Sequence, residues 1–192
     1  MVQYNKHVAL VVVDFQNDFT DPKGTQYIPG AEGIVHAVNK EISLCREQHG
    51  TVIYIQDWHP RVTQHFKSYN GRIGEHCVRN SWGAQLHPDL EISGDVLRKG
   101  IEGEDAFSCF SVRELETGVT KATLLETVLI DRLIKKIVFV GLATDFCIYE
   151  SAIEALSKGF EVAVVVKGVC SAHVEAQTDA LAKMQKVGVE IV

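Results

Sequence analysis

The sequence predicts an α/β protein of three layers, α/β/α, with a mostly parallel, doubly wound central sheet. Short valine- and isoleucine-rich runs recur along the chain, such as VALVVV at 8–13 and KIVFV at 136–140. Continuous apolar runs of this length read as strands buried on both faces. Between them lie longer segments with apolar residues at helical spacing. Strands that alternate with helices need crossovers, and these lay helices on both faces of a parallel sheet. No repeat, low-complexity tract or Pro/Gly/Ser-rich linker breaks the pattern, so residues 1–192 are expected to form a single domain.

Val8 to Val13 is the first strand. Gly30 to Gly50 holds a helix with Ile34, Val38, Ile42 and Cys45 on one face. Thr51 to Gln56 is the second strand and Asp95 to Arg98 a shorter third. Lys121 to Lys135 reads as helix and Lys136 to Val140 as strand; Asp145 to Lys158 is the next helix and Phe160 to Val166 the next strand. A helix from Val174 to Lys186 leads into a short last strand, Val187 to Val192.

A net charge of -6 offers nucleic acid no basic surface. No apolar stretch reaches membrane-spanning length, so no membrane partner is expected. The N-terminal apolar run stops at Asp14, too short for a signal peptide. The five cysteines, at 45, 77, 109, 147 and 170, are odd in number and lack CxxC spacing. They read as free thiols in a reducing compartment, and the expected location is cytoplasmic.

In open α/β sheets ligands bind beyond the carboxyl ends of the strands. Asp14 ends the first strand, Asp57 the second and Lys99 the third. Cys147, in GLATDFCIYESA, follows the fourth at the start of a helix. All four therefore fall on one edge of the sheet. The stretch DWHPRVTQHFKSYNGRIGEHC at 57–77 adds His59, His65 and His76 to Asp57. Carboxylate and imidazole suit zinc, iron(II) or manganese, whereas the plain alternative is four polar residues on a solvated loop.

Cys147 sits where a helix N-terminus favours thiolate over thiol. Asp14 is the candidate base, but an aspartate near ~3.9 is about 4–5 units too weak for a thiol near ~8.5, an uphill step of roughly 6 kcal/mol in water. Burial must raise the aspartate and a cation must lower the thiol, and Lys99 is that cation. The plain reading of Cys147 is a small buried hydrophobe. Cys45, Cys109 and Cys170 read as packing residues. Cys77 follows His76 and faces away from it on extended chain, so it is taken as structural. Trp58 is expected to pack under its loop; His173, after the fifth strand, has the site edge within reach but is expected to cap or pack.

Taken together, DFQNDF at 14–19, DWHP with the trailing His65 and HCV at 57–78, RKG at 98–100 and GLATDFC at 141–147 resemble the isochorismatase-like cysteine hydrolases. The metal-ligating set narrows the likeness to the nicotinamidases, also called pyrazinamidases. The resemblance runs from Val8 to His173 with motif order preserved. It implies Asp14 as general base, Lys99 as its cationic partner and Cys147 as nucleophile. It assigns Asp57, His59, His65 and His76 to one divalent metal, with zinc first and iron or manganese as alternatives. It further implies a cis peptide at Leu142–Ala143 and an oxyanion hole from the N–H groups of Ala143 and Cys147. Phe19 and Phe107 map onto ring-contacting aromatics, while Ile73 stands where the family commonly has a tryptophan. The implied reaction is nicotinamide hydrolysis through a cysteine thioester, in a chain whose relatives are often homo-oligomers. The alternatives are a related cysteine amidohydrolase for another small amide, a hydrolase whose metal activates water, and a binding module without catalysis.

Overall fold

The computed structural model describes residues 2–192. Its strands are β1 (Val8–Val13), β2 (Thr51–Asp57), β3 (Asp95–Lys99), β4 (Ser111–Arg113), β5 (Thr120–Ala122), β6 (Lys136–Leu142), β7 (Glu161–Cys170) and β8 (Glu190–Ile191). Six of them form one parallel sheet in the order β3-β2-β1-β6-β7-β8, and β4 and β5 make a separate antiparallel hairpin. The helices are α1 (Asn17–Thr20), α2 (Val35–Glu47), α3 (Leu125–Asp131), α4 (Tyr149–Ser157) and α5 (Val174–Lys186).

Side chains alternate across a strand, and β1 shows how one apolar run serves two layers. Ala9, Val11 and Val13 join a core that includes Leu125 and Leu129 of α3, Ala152 and Ala155 of α4 and Met184 of α5. Val8, Leu10 and Val12 face the other way, toward Val38, Ile42 and Cys45 of α2. Every residue of β1 is buried, so the three-layer, doubly wound arrangement stands as the sequence predicts. Strand order reverses between β1 and β6, which places the crevice at their carboxyl ends. No helix among the described residues is long and apolar enough to cross a membrane.

Several element bounds differ from expectation. The 30–50 segment opens with a 3-10 turn, Ala31–Ile34, and only then becomes α2. Lys121 belongs to β5 rather than to a helix, and α3 begins at Leu125. The Thr123 hydroxyl explains the late start: it accepts the Leu125 N–H at 3.2 Å and donates to the Cys109 carbonyl at 2.6 Å, a local bond that competes with helix. The helix after β6 opens with a π turn, Thr144–Ile148, before α4; such turns occur mostly at functional sites. β7 runs on to Cys170, with a register shift opposite Phe139–Gly141.

Two details of the sheet set up the site. β2 and β3 end together, with Asp57 and Lys99 as Cα partners in adjacent strands, so their side chains share a face. Gly141, near the end of β6, has φ +113, and a Cβ there would lie 2.1 Å from the Val13 carbonyl oxygen. A side chain at 141 would therefore be strained and would also push β1 from β6 beside Asp14. Gly141→Ala is expected to destabilise the protein by about 3 kcal/mol or more. A wild-type denaturant midpoint for that variant would contradict this packing.

Candidate active site

The carboxyl ends of β1, β2, β3 and β6 surround a cleft of ≈ 720 Å³. Asp14, Asp57, His59, His65, His76 and Cys147 line it. At its base lies Lys99, whose side chain is fully buried. Lys99 Nζ is 2.6 Å from Asp57 Oδ1, 3.0 Å from Asp14 Oδ2, 2.5 Å from the Ala106 carbonyl oxygen and 3.7 Å from Cys147 Sγ. The three residues proposed as a reactive trio from sequence therefore meet through one ammonium.

The local backbone explains how the residues get there. Asp14 has φ 50 directly after β1, and its N–H donates to the Ile55 carbonyl at 3.0 Å, tying it to β2. Gln16 is fully buried. Its side-chain amide donates to the Asp57 carbonyl at 2.8 Å and the Ala84 carbonyl at 2.9 Å, and its side-chain oxygen accepts the Asp57 N–H at 2.8 Å. Asp18 accepts the Cys77 N–H at 2.7 Å and so fixes the chain beside His76. Both belong to DFQNDF, and their burial and roles went unread because a lone sequence does not show which polar residues fold inward. Ser151 donates to the Cys147 carbonyl at 2.5 Å and accepts the Cys109 N–H at 2.9 Å. It joins the nucleophile turn to the 106–109 segment that also holds Lys99.

The electrostatics are those of a dry, crowded cluster. Burial, helped by Asp57 and opposed by Lys99, pushes Asp14 up to about 7. Burial also disfavours ionised Asp57, but Lys99, His59 and His76 outweigh it and hold that carboxyl well below the usual range. Lys99 stays firmly charged, since Asp14 and Asp57 overcome its desolvation. Burial raises the Cys147 thiol well above its ordinary value, Asp14 and Asp57 add to this, and Lys99 only partly offsets it. The base thus moves in the direction the chemistry needs, while the cation alone does not bring the thiol down. Cys77, Cys109 and Cys45 are buried thiols raised mainly by desolvation, in keeping with packing roles.

The other side of Asp57 faces the histidines. His76 Nε2 lies 3.5 Å and His59 Nε2 3.8 Å from Asp57 Oδ2. One ring nitrogen each of His59, His65 and His76 falls within a common 4.8 Å. His76 Nδ1 is 2.8 Å from the Gly74 carbonyl oxygen and His65 Nδ1 is 2.6 Å from Asp105 Oδ1, which leaves Nε2 of each ring free. Both ring nitrogens of His59 are buried without a hydrogen-bond partner, a costly state for a group with nothing to bind. Three convergent imidazoles, a carboxylate and an orphaned buried nitrogen fit a divalent metal ion. Gly100 makes room for this: it has φ +71, and a Cβ there would meet His59 Cε1 at 2.4 Å. A glycine directly after the charged end of β3 was the available sequence signal for that turn.

Phe19 is half-buried with its ring 5.4 Å from that of His76. Phe107 lies 6.1 Å from His65 and 6.5 Å from Phe146, an exposed cleft residue the sequence reading passed over. Ile73 also lines the cleft, whereas Trp58 and Trp82 do not. Trp58 instead carries Arg98 over its ring at 3.8 Å. His173 lines the cleft rim and makes no side-chain cap to α5, contrary to the capping or packing role expected of it. The Leu142–Ala143 peptide is cis. Phe146 and Ile148 both donate to the Ala143 carbonyl at 3.1 Å, and the N–H groups of Ala143 and Cys147 take no part in those bonds.

Known proteins resemble this chain in sequence and fold. The Isochorismatase domain family matches residues 8–192. The Escherichia coli nicotinamidase is 33% identical, with 92% of this chain and 89% of that one aligned. The Pyrococcus horikoshii pyrazinamidase, solved in complex with zinc, superposes with a TM-score of 0.86 at 31% identity over 97% of this chain and 98% of that one. PnC1 from L. infantum, solved in complex with nicotinate, gives 0.89 at 28% identity over 100% of this chain and 95% of that one. With the match running from β1 to the final residue, and the relatives covered almost end to end, this chain belongs to the isochorismatase domain family.

Proposed function

We propose that this protein is a nicotinamidase, hydrolysing nicotinamide to nicotinate and ammonia within a single hydrolase domain in the cytoplasm. The observation that carries the reading is the meeting of Asp14, Lys99 and Cys147 at one end of a cleft whose other end is the Asp57–His59–His65–His76 cluster. Its nicotinamidase and pyrazinamidase relatives support the substrate class.

Asp57, His59, His65 and His76 would hold a divalent ion, which would supply a Lewis-acidic anchor for the ring nitrogen; zinc suits this donor set best, with iron or manganese as alternatives. Zinc is also the metal in the P. horikoshii relative. Phe19, Ile73 and Phe107 give the ring its apolar walls. Asp14 takes the Cys147 proton, and the thiolate adds to the carboxamide carbon. The N–H groups of Ala143 and Cys147 receive the developing oxyanion. Asp14 passes its proton to the departing ammonia, leaving a thioester. It then takes a proton from water, whose oxygen attacks the thioester; nicotinate leaves and the thiol is restored. Lys99 holds Asp14 in place and favours the thiolate. A second reading, a cysteine amidohydrolase for another small amide, draws on Ile73, which lines the cleft where the family commonly has a larger tryptophan. Ammonia release across a panel of amides separates the two.

Cys147→Ala should abolish nicotinamide turnover while leaving bound metal, read by elemental analysis, unchanged; near-normal turnover would sink the mechanism. His59→Ala and His76→Ala should raise KM at least as much as they lower kcat, and chelation of the wild type should reproduce that pattern reversibly. A pure kcat effect would mean the metal does not hold the ring. Asp14 must be ionised to accept the thiol proton, and its folded value of about 7 lies above its ordinary one. Activity should therefore rise with pH along an acid limb. A cation beside Asp57 pulls the Asp14 value down, so the limb should lie no higher than about 7. Asp14→Asn should lower kcat about 10²–10⁴-fold and remove the limb; an unchanged limb would assign it to another group.

A further inference from the structure

The three imidazoles of the cluster are not held alike. On the Nδ1 side, His76 leans on a backbone carbonyl and His59 has no hydrogen-bond partner. Beyond Asp57, which faces Nε2 of His59 and His76, a second carboxylate meets the cluster: Asp105 Oδ1, 2.6 Å from Nδ1 of His65. Asp105 is itself anchored by its backbone, donating to the Arg113 carbonyl at 3.0 Å and accepting the Arg113 N–H at 2.8 Å. The same segment grips the His65 loop a second time: Thr63 Oγ1 donates to the Gly103 carbonyl at 2.6 Å and accepts the His65 N–H at 3.0 Å. One residue after Asp105, the Ala106 carbonyl receives Lys99. Asp105 is half-buried and lies outside the cleft lining, so it reaches any bound ligand only through His65.

We infer that Asp105 is a positioning residue for the metal site: its carboxylate takes the His65 Nδ1–H, fixes that tautomer and aims Nε2 at the point shared with His59 and His76. A carboxylate behind an imidazole also makes the free nitrogen a better donor. The inference rests on the metal-site reading above. It goes beyond that reading by assigning the orientation of the loop-borne histidine, which no strand supports, to a residue of the β3–β4 connection. The 101–107 segment thereby sets both ends of the cleft, His65 through Asp105 and Lys99 through Ala106.

Zinc affinity of the full chain, read by competition with a chromophoric chelator, tests it. Asp105→Ala should bind zinc about 10–100-fold more weakly. Asp105→Asn, which keeps an acceptor for Nδ1–H but loses the charge, should fall between Asp105→Ala and the wild type. Adding His65→Ala to Asp105→Ala should cost far less than His65→Ala alone, because both act through one ligand. Nitrogen NMR shifts of the His65 ring should report a fixed Nδ1–H tautomer in the wild type and a mixture in Asp105→Ala. The metal-free variants should keep the wild-type thermal midpoint. Zinc binding by Asp105→Ala within about twofold of the wild type overturns the inference, as does full additivity with His65→Ala. A loss of affinity matched by a lower metal-free midpoint also overturns it, in favour of a structural role. A wild-type chain that binds no zinc overturns the metal-site reading itself and is told apart by that result.

Discussion

One buried ammonium organises this molecule. Lys99 Nζ is shut away from water and held by Asp14, Asp57 and the Ala106 carbonyl within 3.0 Å. A buried charge is tolerated only when its partners are in place, and removing one costs about 3–5 kcal/mol. The partners come from three different parts of the chain: the end of β1, the end of β2 and the connection after β3. The sheet register that brings Asp57 beside Lys99 is therefore a condition of stability as well as of chemistry. A one-residue slip of β3 would turn Lys99 to the opposite face and leave two carboxylates facing each other without a cation.

The same arrangement sets the protonation of the reactive groups. Asp14 and Asp57 together outnumber Lys99, so the cluster carries one surplus negative charge when both are ionised. Burial is the main cause of the raised values of both Asp14 and Cys147, and that surplus adds to it, since each would add or keep a charge beside like charges in a dry site. A raised aspartate is a better base, but a raised thiol is a poorer acid, and the two changes largely oppose each other. The imbalance is of the kind that a cation on the Oδ2 side of Asp57 corrects. Asp57 links the two halves through one side chain: its Oδ1 pairs with Lys99 and its Oδ2 faces His59 and His76.

The sequence made the sheet and most of the polar cluster legible because both rest on short-range rules. Valine- and isoleucine-rich runs alternating with helices read as strands of a parallel sheet, and the residues that close β1, β2 and β3 or open the helix after β6 lie at its carboxyl edge, which is enough to bring Asp14, Asp57, Lys99 and Cys147 together. The β4–β5 hairpin and the late start of α3 were missed because Thr123 acts through its hydroxyl, a bond that apolar periodicity does not register. Gln16, Asp18, Asp105 and Ser151 were missed for another reason. Each is an ordinary polar residue whose role depends on a partner 40 or more positions away, as Asp105 on His65 or Gln16 on Asp57. Single-residue chemistry identifies the groups that react; what holds those groups is written in contacts between distant segments.

This division explains why the metal-binding end and the reactive end behave as one site. A histidine such as His59, buried with both nitrogens unpaired, is an energetic liability unless something occupies the space before it. Deleting it relieves that liability, yet it also weakens whatever balances Asp57 Oδ2, and so reaches Lys99 and Cys147 through a shared carboxylate. A purely positional anchor would leave the acidity of Cys147 untouched. With Asp57 in common, loss of the anchor changes ring placement and thiol acidity together, so the two effects separate only when turnover and the alkylation rate of Cys147 are measured on the same variant.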